Sequence, residues 1–156
     1  FAFKDSSLCL SKTGKVYCFG RNNNNIFGKS FDEIVKVPTL IEEFDNVADI
    51  CVDDGSSIYV IKTNGDVYVR KQDDDGNEDP ESDDFTKMDE LKDIIKIYSS
   101  GYATIFIDKN GQFYLMGDNN SFEFDSALIN DHYDSPVLTN KRLYTGPNGV
   151  SVVPQY

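Results

Sequence analysis

The sequence predicts an all-β chain built from repeated four-stranded antiparallel sheets, and three observations carry that expectation. A unit of two short apolar runs around a tight turn occurs three times. It reads SSLCLSKTGKVYCFGRNNNNIFG over Ser6 to Gly28, SIYVIKTNGDVYVRK around Gly65, and TIFIDKNGQFYLMGDNNSFEFD around Gly111. The turn glycines Gly14, Gly65 and Gly111 are 51 and 46 residues apart, a spacing of one supersecondary unit per period. The apolar runs are strand-length and bounded by Gly, Asn and Asp, with no convincing long helix between them.

The chain opens with Phe1-Ala2-Phe3-Lys4, which reads as the tail of a strand whose beginning is missing. Later units have that lead strand: Val47-Ala48-Asp49-Ile50-Cys51-Val52 runs to Gly55, and Ile94-Ile95-Lys96-Ile97-Tyr98 runs to Gly101. Lys4 stands where those glycines fall. A second run follows: Ser7-Leu8-Cys9-Leu10, then Ile58-Tyr59-Val60-Ile61, then Thr104-Ile105-Phe106-Ile107. Short runs without polar alternation indicate strands covered on both faces. Asn64-Gly65 and Asn110-Gly111 are strong hairpin signals, because Asn and Gly tolerate positive φ, and Thr13-Gly14 is a weaker version.

The return strands are Val16 to Phe19, Val67 to Val69 and Phe113 to Met116. A further short strand is expected at Val35 to Ile41 around Pro38, and at Ser135 to Leu138 around Pro136, with proline restricting it to an edge. Met88 to Ile97, MDELKDIIKI, suggests a turn or two of helix running into the next lead strand. Four short strands every 45–50 residues are the signature of a β-propeller blade.

At 156 residues the chain is about one domain, and a domain of that size buries roughly 68–70% of its unfolded surface. Thirteen per cent aromatic residues make it too aromatic to be disordered throughout. Twenty-seven acidic residues against 15 basic ones give a net charge of −12, with no Lys/Arg cluster. Direct DNA or RNA binding is not expected from such a chain, because it would repel phosphate; a basic partner surface suits it better. Cys9, Cys18 and Cys51 lie inside apolar runs with no CxxC pair, which suggests reduced buried thiols and a cytoplasmic or nuclear location. No apolar run reaches the ~18 residues of a membrane-spanning helix. The first residue is Phe, so the expectation is a start inside a longer or processed chain, with targeting not readable.

The repeats resemble those of the regulator of chromosome condensation family. In that family a lead strand ends in Gly, a turn glycine and an aromatic-Gly strand end follow, then Asn, and a Gly-Gln-Leu-Gly motif closes the loop. The first repeat supplies Gly14 to Asn22, with Phe19-Gly20 and then Asn25-Ile26-Phe27-Gly28 at the closing place. The third supplies Gly111 to Asp118, with Met116-Gly117 and Phe122-Glu123-Phe124-Asp125. The middle repeat keeps Gly55, Gly65, Val67 and Tyr68, but Arg70-Lys71 replaces aromatic-Gly. The family's usual histidine after the lead-strand glycine is absent, with Ser6, Ser57 and Ala103 in its place.

The resemblance implies a seven-bladed β-propeller of which this chain covers about three blades. The repeats fall at about 1–46, 47–93 and 94–142, and the start of a fourth at about 143–156. Leu143 to Val153 is its expected lead strand, with Gly149 as its glycine. The structural glycines of the repeats are then Gly14, Gly20, Gly28, Gly55, Gly65, Gly101, Gly111 and Gly117. Three blades cannot close a ring, so the remaining blades are expected from the same or another chain.

No catalytic, cofactor-binding or metal-binding residues are assigned. His132 is the only histidine and reads as a solvated loop residue, and no motif places a base near a Ser or Cys nucleophile. The acidic run 73–84, DDDGNEDPESDD, replaces the loop of the second repeat. Placing Gly76 at the EF-hand glycine puts Lys71 and Ser82 at ligand positions, so that calcium pattern fails. Asp73, Asp74, Asp75, Glu78, Asp79, Glu81, Asp83 and Asp84 remain as a solvated loop and a candidate contact for a basic partner. Asn22 to Asn25 reads as drift in a tolerant loop, and Asn119-Asn120-Ser121 fits a glycosylation pattern that the reduced-thiol reading argues against. Tyr17, Tyr59, Tyr68 and Tyr114 are expected as blade core.

These observations point to a non-enzymatic protein–protein interaction scaffold within a larger protein or assembly. The alternative that the resemblance implies is guanine-nucleotide exchange on a Ran-like small GTPase, which calls for a wedge insertion that is not evident here. A third is an adaptor role in a ubiquitin-ligase-type protein whose catalytic domain lies elsewhere.

Overall fold

A computed structural model describes residues 2–28, 30–53, 57–71, 85–100, 102–119, 130–146 and 149–154. They form three antiparallel sheets. The first holds β1 (Ala2–Phe3), β2 (Ser6–Leu10), β3 (Val16–Arg21) and β4 (Ile34–Leu40), side by side in that order. The second repeats the order with β5 (Val47–Asp53), β6 (Ser57–Lys62), β7 (Val67–Lys71) and β8 (Thr86–Lys87). The third begins in the same way with β9 (Ile94–Ser99), β10 (Ala103–Asp108), β11 (Gln112–Asp118) and β12 (His132–Gly146), then adds β13 (Gly149–Pro154) beyond β12. These are the expected propeller blades.

The middle hairpins form where Gly and small polar residues punctuate β-branched runs. The N–H groups of Gly14, Gly65 and Gly111 bond to the carbonyls of Ser11, Lys62 and Asp108 at 3.1, 2.9 and 2.9 Å. Side chains brace the turns as well: the Asp108 carboxylate accepts from the backbone N–H groups of Asn110 and Gln112 at 2.8 and 2.9 Å. Pro38 sits in β4, an outer edge strand, where its missing N–H costs no ladder bond.

Two apolar cores lie between the sheets. Leu8, Val16 and Cys18 of the first sheet meet Ile50, Ile58 and Val60 of the second. Tyr59, Ile61, Val67 and Val69 of the second meet Ile97, Phe106 and Met116 of the third. Neighbouring residues of β6 therefore serve opposite cores, and every residue from Ser57 to Ile61 is buried. That is why this run lacks polar alternation. At the end of the stack β2 has only one covered face, so Cys9 is exposed, which corrects the expectation of three buried thiols; Cys18 and Cys51 are buried.

The first two turn glycines receive the start of the next sheet, and the third receives β12. The N–H of Val47 bonds to the Gly14 carbonyl at 3.1 Å, that of Ile94 to Gly65 at 3.1 Å, and that of Leu143 to Gly111 at 2.7 Å. Between β4 and β5 the chain crosses with Ile41 and Phe44 turned into the first core, and between β8 and β9 with Met88 and Leu91 turned into the second.

Two further expectations need correction. Residues 88–93 contain no α-helix: Leu91 N–H bonds to the Met88 carbonyl at 3.2 Å in a tight turn, as Phe44 does to Ile41 at 3.3 Å. The expected fourth lead strand is also different. Leu143 occupies the place of Val47 and Ile94, but it lies within the 15-residue strand β12, which continues to Gly146 and pairs with β13. Gly149 opens β13 and does not end a lead strand. The physical reason is the crossing segment, Thr139-Asn140-Lys141-Arg142, which has no apolar pair to turn inward and so stays extended.

Candidate interaction surface

In each sheet the connections β1–β2, β5–β6 and β9–β10 lie at the same end as β3–β4, β7–β8 and β11–β12, because successive strands are antiparallel. This rim carries the loops that a rigid frame can offer to a partner. Among the described residues it exposes Asp5, Asp32, Glu33, Asp131 and Asp134, with Asp118 half-buried, against Lys4 and Arg21. Tyr102 stands out from it at 77% exposure. At the opposite end, lysines are matched: Lys62 with Asp45 at 3.3 Å, Lys87 with Asp66 at 2.9 Å, and Lys109 with Asp93 at 2.9 Å. Among the described residues the loop rim therefore carries more acidic than basic side chains. Such exposed pairs add little stability, about 0–1 kcal/mol each.

The β3–β4 loop is organised by Asn22, which is 4% exposed. Its side-chain oxygen accepts from Phe27 N–H at 2.8 Å, and its amide donates to the carbonyls of Gly28 and Phe31 at 2.9 and 3.2 Å. Its own N–H bonds to the Glu33 carbonyl across the loop base at 2.8 Å. A single 3-10 turn at Asn23–Asn25 drops Ile26 and Phe27 into the first core. The asparagine tract thus begins with a structural keystone. Asn119 takes the matching place in the third sheet, 1% exposed, with its N–H on the Asp131 carbonyl at 2.7 Å. Burial makes it an unsuitable glycosylation acceptor.

Gly20 and Gly117 close the strands that lead to these loops, at φ +105° and +92°. A Cβ on Gly20 would stand 2.3 Å from the Asp5 carbonyl oxygen, and one on Gly117 would stand 2.2 Å from that of Tyr102. Both positions therefore exclude a side chain. In the second sheet Lys71 stands opposite Ser57, as Gly20 stands opposite Ser6, and the residue before it is Arg70. Arg70 is 3% exposed, its guanidinium 4.3 Å from the Phe85 ring centroid and 3.4 Å from Glu43. It packs beside Gly28 and links the first two sheets where the other repeats have Phe19 and Met116.

His132 is exposed, as a solvated residue would be, but it lies on a strand and not in a loop. It starts β12 with Nδ1 2.6 Å from Asp118 and Nε2 3.3 Å from Asp134. The Asp118 hydrogen bond chiefly raises its pKa above 6.5. Tyr17, Tyr68 and Tyr114 share one register, opposite Leu40, Lys87 and Leu138, and Tyr59 is fully buried. The candidate partner residues of 73–84, the glycines Gly55 and Gly101, and Phe122 to Asp125 lie outside the described residues. Gly14, Gly28, Gly65 and Gly111 all have positive φ. Among the described residues no group of three or more His, Cys, Asp or Glu is placed to hold a metal, and no helix is long and apolar enough to cross a membrane.

The architecture has known counterparts. Human WBSCR16 superposes with a TM-score of 0.66 at 15% identity, over 91% of this chain and 40% of that one. Yeast RCC1 (Prp20), in its complex with Kap60, gives 0.65 at 14% identity over 97% and 40%. Prp20p from Saccharomyces cerevisiae, described with its binding to Gsp1p and histones, gives 0.65 at 15% over 91% and 39%. The fold is that of the regulator of chromosome condensation propellers. The chain spans about 40% of the length of these structures. No family model and no curated protein sequence matches it.

Proposed function

We propose that the chain is a run of blades in a seven-bladed propeller that acts as a non-enzymatic scaffold for protein partners, in the cytoplasm or nucleus. The observation that carries this reading is the pair of free faces at the ends of the stack. Tyr98, opposite Ile105, occupies the register of Cys51 opposite Tyr59. Cys51 is 6% exposed between two sheets, whereas Tyr98 is 55% exposed. At the other end exposed Cys9, opposite Tyr17, matches fully buried Val60, opposite Tyr68. Each free face thus repeats a blade-packing surface, and further blades complete it. The acidic rim supports a partner with a basic surface.

Thiol labelling tests the reading. In residues 1–156 alone Cys9 reacts and Cys18 and Cys51 do not; in the assembled native protein all three are protected. Equal labelling of Cys9 in both would overturn it.

A second reading, nucleotide exchange on a Ran-like GTPase, is supported by the likeness to Prp20p, whose structure is described with its binding to Gsp1p. A nucleotide-release assay decides it, since catalytic acceleration by the native protein would replace the pure scaffold reading.

A further inference from the structure

We propose that His132 is a proton-operated latch at the base of the β11–β12 loop, closed when the imidazolium bridges Asp118 and Asp134. The geometry is specific about the proton. Nδ1 lies 2.6 Å from one Asp118 oxygen and Nε2 lies 3.3 Å from one Asp134 oxygen. Ionised carboxylates only accept, and a neutral imidazole carries one N–H, so it can serve only one of them. Its other nitrogen then turns a lone pair towards a carboxylate. The imidazolium donates from Nδ1 to Asp118 while its charge pairs with Asp134 at Nε2, so both contacts are favourable.

The position gives this exchange its leverage. His132 opposes Asp118 on the last paired rung before the loop. Directly beyond it, Asn119 N–H bonds to the Asp131 carbonyl, and Asn130 N–H donates to the Tyr133 hydroxyl at 3.0 Å. The Asp118 N–H is itself held by the Tyr102 carbonyl at 2.9 Å, which ties the latch to the β9–β10 connection. Among the described residues, Asp118 from β11 and Asp134 from β12 are the charged groups that act on the ring; Tyr102 and Asp131 are the titratable neighbours on the adjoining connections. In the first sheet the same rung pairs Arg21 with Ile34, so no imidazole stands there. The device belongs to the third blade alone among the two comparable loops.

The sign follows from the same contacts. The Asp118 hydrogen bond, and then the two carboxylate charges, raise the folded pKa above 6.5. The stabilisation is therefore fully present below pH 6.5 and is lost as pH rises through the raised folded value.

His132 is the only histidine of residues 1–156, and comparison with His132→Gln assigns its ring resonances in an NMR titration of the intact protein. The expected result is a midpoint above 6.5, and an Asn119 amide protection factor, corrected for intrinsic exchange, that falls about 1.5- to 5-fold between pH 6 and pH 8, the range of an exposed ion pair. Asp134→Asn lowers the midpoint, and His132→Gln removes the pH dependence of protection. A midpoint at or below 6.5, or Asn119 protection that does not change with pH, overturns the proposal.

Discussion

The Phe106 ring of the third sheet meets the Tyr59 ring of the second edge to face, with centroids 5.8 Å apart and planes at 78°. Phe106 is 0% exposed and Tyr59 2%, so the contact is the centre of the second core. Phe106→Ala removes a buried ring and leaves a cavity between two sheets. The expected loss is about 3–5 kcal/mol in chemical denaturation. A loss under 1 kcal/mol would mean that these two sheets do not depend on this contact.

Gly117→Ala is expected to destabilise by at least about 1–3 kcal/mol, because alanine at φ +92° is strained and its Cβ would meet the Tyr102 carbonyl oxygen. Gly20→Ala should behave alike at its equivalent contact with Asp5. Thermal unfolding of the two variants checks both, and unchanged melting would show that the backbone adjusts at this point.

Asn22→Ala strands the buried Phe27 N–H and two loop carbonyls. A cost of about 1–3 kcal/mol is expected, with faster exchange of the Phe27 amide. Asn22→Asp keeps the acceptor for Phe27 but loses both donors, so it should not restore wild-type stability. Full rescue by Asp would show that the donor bonds contribute nothing.

Alkaline pH should weaken the fold. Burial, followed by the Asp53 charge, pushes the Tyr59 phenol up to about 12 from 10.0, and burial pushes the Cys18 thiol up to about 11 from 9.0. Both groups fold in their neutral form. The tyrosine contribution is therefore complete below pH 10 and lost between pH 10 and about 12, and the thiol contribution is lost between pH 9 and about 11. The tyrosine alone accounts for about 2–3 kcal/mol. Denaturant melts across this range check it: Tyr59→Phe should flatten the upper part of the decline and Cys18→Ala the lower. An equally steep decline in the double variant would place the sensitivity elsewhere.

The strands and turns were legible because each is written in local chemistry: Asn-Gly at the hairpins, β-branched residues beside them, proline on the edge. The span from Met88 to Ile97 was misread because its apolar residues recur every three positions, which resembles a helical stripe. Met88, Leu91, Ile94 and Ile97 all enter the second core, yet the first two do so from tight turns and the last two from a strand. Ile41, Phe44 and Val47 show the same spacing for the same reason. Local pattern cannot separate these cases. The family resemblance put an Asn at position 22, but the tract of four asparagines by itself carries no mark of which one is buried and reads as drift. Arg70 and His132 were missed because their partners Glu43 and Asp118 are 27 and 14 residues away, and long-range pairing leaves no periodic trace.

The bonds from the Gly14 and Gly65 carbonyls to Val47 and Ile94, the first strand residues of the next sheets, have a kinetic consequence. In each, the acceptor belongs to the earlier blade and the donor to the later one, and the acceptor is in place as soon as the earlier hairpin has closed. A growing chain therefore meets a finished landing point at Gly14 before Val47 arrives and at Gly65 before Ile94. Assembly by this device runs in the direction of synthesis, each unit templating its successor.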